Sequence, residues 1–194
     1  MTKITADSLM PLETYAKARD EFRKRVMAHK KHRTVRLGGH LTLLFEDELT
    51  IRYQVQEMLR AERIFEEEGI RGELDAYNPL IPDGTNWKAT MMIEYPDVQE
   101  RRKKLVELAN IEHRVWVRVA GFDAVYAIAD EDLERGDAGK TSAVHFLRFE
   151  LSPDMIREVR RGASLSFGVA HPAYRAETVV AEEIRRSLAA DLHS

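Results

Sequence analysis

Two carboxylates one helical turn apart, Glu62 and Glu66, fall where an amphipathic helix would carry apolar residues. In ELTIRYQVQEMLRAERIFEEE, at about 100° per residue, Ile51, Val55, Met58, Leu59 and Phe65 share one arc. Glu62 lies near its centre and Glu66 on the same arc. A carboxylate turned inward needs a cation, a proton or a hydrogen-bond donor, because burial without one is costly and shifts its protonation. Imidazoles are the natural counterparts. Strand alternation in AVHFLRFEL puts Ala143, His145, Leu147, Phe149 and Leu151 on one face and Val144, Phe146, Arg148 and Glu150 on the other. By the same rule His113 shares a face with Val115, Val117 and Val119, and His29 continues the apolar face of the first helix.

If Glu62, Glu66, His145 and His29 converge, their oxygen and nitrogen donors suit a non-haem metal ion, iron, manganese or zinc, with open positions for water or substrate. Glu62 and Glu66 would then be oxygen donors or the base, and His145 a nitrogen donor or proton carrier. Arg148, Lys140 and Arg19 are the candidates for meeting an anionic ligand. The structural alternative is that Glu62 pairs inside with Arg19 or Arg148 and that the histidines are satisfied core residues.

A second concentration of polar groups is ADEDLERGDAGKTS, with Asp130, Glu131, Asp132 and Glu134 after one apolar strand and Lys140, Thr141 and Ser142 before the next. It lacks the regular spacing of a Ca²⁺ loop. GDAGKTS is not a phosphate-binding loop either: Glu134 stands where the Walker pattern needs Gly, and a strand follows where a helix is needed. HExxH and Gly-x-Ser-x-Gly do not occur, and no His has a Glu three positions before it, against the usual four-helix di-iron arrangement.

The elements that must position these groups follow from periodicity and turn signals. A first helix is expected from about Leu12 to His32, with Leu12, Tyr15, Phe22 and Val26 on its apolar face. Gly38-Gly39 precedes a strand in LTLLFED, and the Glu62 helix runs from an Asp47 cap to Gly69. A short helix near Glu73 to Tyr77 is followed by turns at Asn78-Pro79 and Pro82-Asp83-Gly84. Then come strands in KATMMIEY, HRVWVRVA, AVYAIA, AVHFLRFEL and SLSFGVA, the second and third forming a hairpin, with helices in DVQERRKKLVELAN and PDMIREVRRG. A last helix covers roughly Ala176 to Leu192. The expectation is one α+β domain: an antiparallel or mixed sheet of about five strands with long helices packed on it. It would comprise a mainly helical part over 1–80, a sheet-rich part over 85–175 and a C-terminal helix over 176–192.

The chain of 194 residues, 44% hydrophobic and 32% charged, can bury a substantial core. With no long apolar run and no apolar signal core near the N-terminus, a cytoplasmic, non-membrane protein is expected. Having no Cys, the chain cannot form disulfides, use a thiol nucleophile or hold a metal through its own thiolates. Residues 1–36 carry ten Lys and Arg against four Asp and Glu, so the rest holds −9 of a total of −3. The basic run peaks at Arg23, Lys24, Arg25, Lys30, Lys31, Arg33 and Arg36. It can meet an acidic partner or be a solvated face; nucleic acid is disfavoured by overall charge and the absence of interleaved aromatics.

The stretches LETYAKARDEFRKRVMAHKKHR, FEDELTIRYQVQEMLRAERIF, YNPLIPDGTNWKATMMIEYPD and ADEDLERGDAGKTSAVHFLRFEL together resemble an uncharacterised bacterial family, domain of unknown function 3501. The likeness spans most of the chain. It implies a redox or oxidative-stress context, beside rubrerythrin-like and heterodisulfide-reductase-like proteins, but no reaction and no catalytic residues. The resulting expectation is a protein binding a metal ion or small anionic ligand between the Glu62 helix and the His145 strand. The alternative is an accessory protein without an active site that docks on an acidic redox partner through its basic first helix.

Overall fold

The computed structural model describes residues 3–129 and 140–193; the acidic run Asp130, Glu131, Asp132 and Glu134 lies outside them. Helix α1 (Leu12–Lys31) buries Tyr15, Phe22 and Val26, the apolar face expected of it. A hairpin of β1 (Thr34–Leu37) and β2 (Leu41–Phe45) leads into α2 (Glu48–Glu62) and α3 (Glu67–Tyr77). Then follow β3 (Asn86–Ile93), α4 (Val98–Glu107), β4 (Val115–Val119), β5 (Val125–Tyr126) and β6 (Val144–Glu150). The chain continues through α5 (Pro153–Arg161), β7 (Leu165–His171), β8 (Tyr174–Val179) and α6 (Glu182–Ala189).

The fold is α+β, with the described strands in two antiparallel sheets of four, ordered β1-β2-β3-β6 and β5-β4-β7-β8, where a single sheet of about five was expected. β1 and β8 account for part of the difference, and β5 is shorter than AVYAIA suggested. The expected C-terminal helix from Ala176 begins only at Glu182, because Tyr174–Val179 pairs with β7. Inner-face residues of both sheets share one core, including Leu43, Phe45, Trp87 and Phe149 from the first and Val117 and Phe167 from the second. Phe45 and Phe167 meet at 4.8 Å between ring centroids, and full burial of each such side chain contributes about 1.5–3 kcal/mol. At one edge Ile128 bonds Arg148 of β6 through both backbone groups; at the other, Tyr174 Oη donates to the Leu37 carbonyl at 2.6 Å. These contacts occupy part of the outer edges of β6 and β1. α5 and α6 close one end, where Trp87 Nε1 donates to the Leu188 carbonyl at 2.9 Å. No helix among the described residues is long and apolar enough to cross a membrane.

The long helix expected through Glu62 to Gly69 is two helices. Arg63 takes a left-handed conformation (φ 56°), and the Ile64 amide turns back to the Leu59 carbonyl at 2.9 Å. The reversal lets Ile64 pack with Leu9, Leu12, Leu59 and Ile70. Gly69, expected as a helix stop, lies inside α3: a Cβ there would come within 2.6 Å of Ile64 Cγ2, so Ile64 can pack this closely only over glycine. Glu62 and Glu66, at the end of one helix and the start of the next, are therefore exposed, and Phe65 beside them is 71% exposed. The break at Arg63 removes Glu66 from that arc, while Glu62 keeps its helical position as the last residue of α2 and is exposed there.

Candidate ligand-binding cleft

β2 alternates Leu44 outward, Phe45 inward and Glu46 outward, so Glu46 emerges between the first sheet and α2. Its amide donates to the Lys88 carbonyl at 2.8 Å, carrying the β2–β3 pairing one residue further. Asp47 then caps α2: its Oδ1 accepts the Thr50 amide and Thr50 Oγ1 accepts the Asp47 amide, both at 2.9 Å. The Thr50 hydroxyl spends its proton on Glu46 Oε2 at 2.6 Å, and Thr90 on β3 donates to Oε1, also at 2.6 Å. Glu46 is 8% exposed, and among the described residues it makes no ion pair.

These three side chains converge on a cleft of about 320 Å³ between α2 and the outer face of the first sheet, walled by Leu44, Ile51, Leu80, Met92, Val144 and Phe146. Lys30 and Gln54 reach the same cleft; the Lys30 ammonium lies 5.6 Å from the centroid of the Tyr53 ring. A second concavity of about 470 Å³ shares Tyr77, Leu80 and Phe146 and adds Met58, Glu73 and Pro79. Burial, with Glu62 nearby, raises the Glu73 carboxyl above its ordinary range.

Behind the cleft lies a buried charge network. Arg33, 1% exposed, donates Nε to the Phe45 carbonyl at 2.9 Å and Nη2 to the Glu46 carbonyl at 3.0 Å. The same guanidinium pairs with Asp191 Oδ2 at 2.5 Å and Asp47 Oδ2 at 3.3 Å, and His29 Nε2 meets Asp47 Oδ2 at 2.5 Å. Burial outweighs Arg33 and pushes the Asp191 carboxyl up to about 6, with Asp47 adding to the rise. For Asp47, burial works upward too, but Arg33, the Thr50 amide and His29 together hold it below the usual range. His29 thus serves α1 and the α2 cap, away from Glu62.

His145 is buried on the inner side of β6, opposite the buried Met91, as alternation implied. Its Nε2 lies 2.7 Å from Thr141 Oγ1 and 3.0 Å from the Ser142 carbonyl, while Thr141 donates to Glu112 Oε2 at 3.1 Å. A carbonyl only accepts, so Nε2 carries the proton and Thr141 relays the contact to Glu112. Glu112 Oε2 itself lies 3.8 Å from the same ring nitrogen.

The structure does not bring the expected site residues together. Glu62 and Glu66 face solvent, His29 bonds Asp47, and His145 occupies the face of β6 opposite the cleft. His113 lies in the 3-10 turn Ile111–Arg114 and is exposed, not on a strand face with Val115. Arg19 pairs with Glu57 through two 2.7 Å bonds rather than with Glu62, and Arg148 pairs with Glu150. Lys140 is exposed. Among the described residues no three of His, Asp and Glu gather closely enough to hold a metal ion. A cleft between the α2 helix and β6 does exist, but Val144 and Phe146 face it, together with the first turns of α2. Sequence reasoning missed Glu46, Thr50 and Thr90. The available signal was the alternation of LTLLFE, which places Leu44 and Glu46 on one face, followed by the Asp47-x-x-Thr50 cap.

Comparison with known proteins adds a family and a fold. The family model described as Protein of unknown function (DUF3501) matches residues 3–192. A crystal structure of a novel protein of unknown function from Burkholderia pseudomallei K96243 is similar at 55% identity and a TM-score of 0.94, covering 99% of this chain and 100% of that one. No curated protein matches.

Proposed function

Since the chain belongs to the DUF3501 family, whose description carries no reaction, we propose from its own geometry that it is a binding protein for a small organic molecule with an apolar body and a polar head. The observation that supports this is the pair of adjoining concavities, about 320 and 470 Å³, walled by apolar and aromatic side chains around a few convergent polar groups. Small-molecule sites have this size and composition. A ligand held there touches α2, α3, β3 and β6 at once, so binding stabilises the fold: at one hundred times Kd the gain is about 2.7 kcal/mol. The test is a fragment screen by amide NMR on the intact protein. Ligands are expected to shift Thr50, Thr90 and Phe146 and to lose affinity in Val144→Trp, which fills the cleft mouth. Shifts confined to other surfaces overturn the reading.

A second reading rests on the exposure of Arg23, Lys24, Arg25 and Lys31 along α1. It is docking on an acidic protein, for which the family resemblance suggests a redox protein. Arg33 and His29 drop out of that surface, being used in the buried network. Reversing Arg23, Lys24 and Lys31 to Glu is expected to abolish co-purification of an acidic partner at low salt while leaving the melting temperature unchanged. Retained, salt-insensitive association would refute it.

A further inference from the structure

We propose that the molecule held in the cleft is an organic cation, an alkyl- or aralkyl-ammonium whose nitrogen pairs with Glu46. This rests on the preceding reading of the cleft and assigns the chemistry of its ligand. Glu46 is nine-tenths buried, lines the cleft and makes no ion pair among the described residues. An ionised carboxylate in apolar surroundings without a cation is costly, and neutral hydroxyls offset only part of that cost. Thr50 and Thr90 occupy one acceptor direction on each oxygen. A carboxylate offers about four such directions, so further acceptor positions remain for an ammonium, which brings several donors and the missing charge.

The walls choose the kind of cation. A bare hard metal ion takes several oxygen ligands, and among the described residues lining the cleft Glu46 alone offers carboxylate oxygens. Leu44, Ile51, Leu80 and Met92 instead bury hydrocarbon, and Tyr77 and Phe146 present rings that attract a desolvated ammonium. Among the described residues, the charged groups facing this space are Glu46, Lys30 and, in the adjoining concavity, Glu73. Lys30 is the internal rival. Its ammonium, beside the Tyr53 ring, opposes a bound cation, so its removal strengthens binding.

The experiment titrates 15N-labelled protein with phenethylammonium, the neutral 2-phenylethanol and the anionic 3-phenylpropionate. The ammonium is expected to shift Thr50, Thr90 and Phe146 and to bind roughly tenfold or more tightly than the alcohol, the scale of a charge-assisted contact. Glu46→Gln, which keeps an acceptor but loses the charge, is expected to erase that preference; Lys30→Met is expected to increase it. Circular dichroism checks the fold of each variant, and Thr90→Val, which removes one of the hydroxyls orienting Glu46, is a second route should Glu46→Gln fail to fold; it is expected to weaken the preference. Equal binding of ammonium and alcohol in the cleft, or tighter binding of the propionate, overturns the cation assignment while leaving the cleft a binding site. Failure of all three probes to shift the cleft residues overturns both.

Discussion

Replacing Arg33 with Met should be the most damaging polar-to-apolar change in the helical half of the molecule. The guanidinium serves the carbonyls of Phe45, Glu46 and Ser187 and the carboxylates of Asp47 and Asp191, and the side chain is 1% exposed. Met fills much of the volume but leaves the acceptors unmet and two nearly buried carboxylates facing each other. Removing one partner of a buried charge pair costs about 3–5 kcal/mol, a large part of the roughly 5–15 kcal/mol that holds a domain folded. With an m-value of about 2 kcal/mol/M, the urea midpoint should fall by roughly 2 M. The pH dependence supplies a sharper check. In the wild type, Asp191 is raised from 3.8 to about 6, so the folded state holds its proton more tightly than the unfolded state. Stability from this group is fully present below about pH 4 and declines by about 3 kcal/mol as pH rises through 6. Asp47, lowered by its partners, acts oppositely: its contribution is present above its unfolded value and lost on acidification. Without Arg33 both carboxyls shift upward, so the variant's deficit should widen from pH 4 to pH 8. Urea unfolding at several pH values measures this. A loss below about 1 kcal/mol at neutral pH, or a deficit independent of pH, refutes the network's role.

Two other changes test packing outside the Arg33 network, one at the α1–α2 contact beside the cleft and one within the second sheet. Glu57→Gln should lower the melting temperature at neutral pH by loosening α1 from α2; hydrogen bonding to Arg19 first, against burial, and then to Tyr15 holds the Glu57 carboxyl down at about 2. Its stabilisation is complete above the unfolded value and is lost as pH falls toward 2, so thermal melts of the two proteins should converge only in strong acid. Gly168→Ala should cost about 1–3 kcal/mol. The new methyl group would sit 2.2 Å from Trp116 Cζ2, and the displaced indole should report in tryptophan fluorescence. An unchanged emission spectrum with unchanged stability would sink that account.

Periodicity reads well where one element's residues decide its fate. α1 shows its buried stripe at Tyr15, Phe22 and Val26, and α5 is framed by the Ser152 cap, Pro153 and Gly162. It fails where tertiary contacts decide. Arg63 is neither Gly nor Pro, yet the helix stops there because Ile64 finds a place over Gly69. Thr34–Leu37 reads as the tail of a basic run, and YRAETV suits a helix as well as a strand until β7 supplies its partner. The cleft depends on register: Leu44 opposite Thr90 and Thr90 opposite Phe146 put Glu46, Thr90 and Phe146 on one outer face. A single sequence shows the alternation within each strand but not which residues lie opposite one another.

The buried network and the cleft share a short piece of backbone, and this explains how a carboxylate can stand in an apolar cleft in one fixed pose. Arg33 grips the Glu46 carbonyl while its charge engages Asp47 and Asp191. Asp47 caps α2, and the cap orients Thr50, whose hydroxyl aims at Glu46. The cations and carboxylates of the network are thus occupied with one another, and what they fix is the direction of the Glu46 side chain. Pre-organisation of this kind lowers the ordering cost of binding. It also separates two duties of buried charge: Asp47 and Asp191 pair with Arg33 and hold α1, α2 and α6 against the sheet, whereas Glu46, buried without an ion pair among the described residues, faces the cleft.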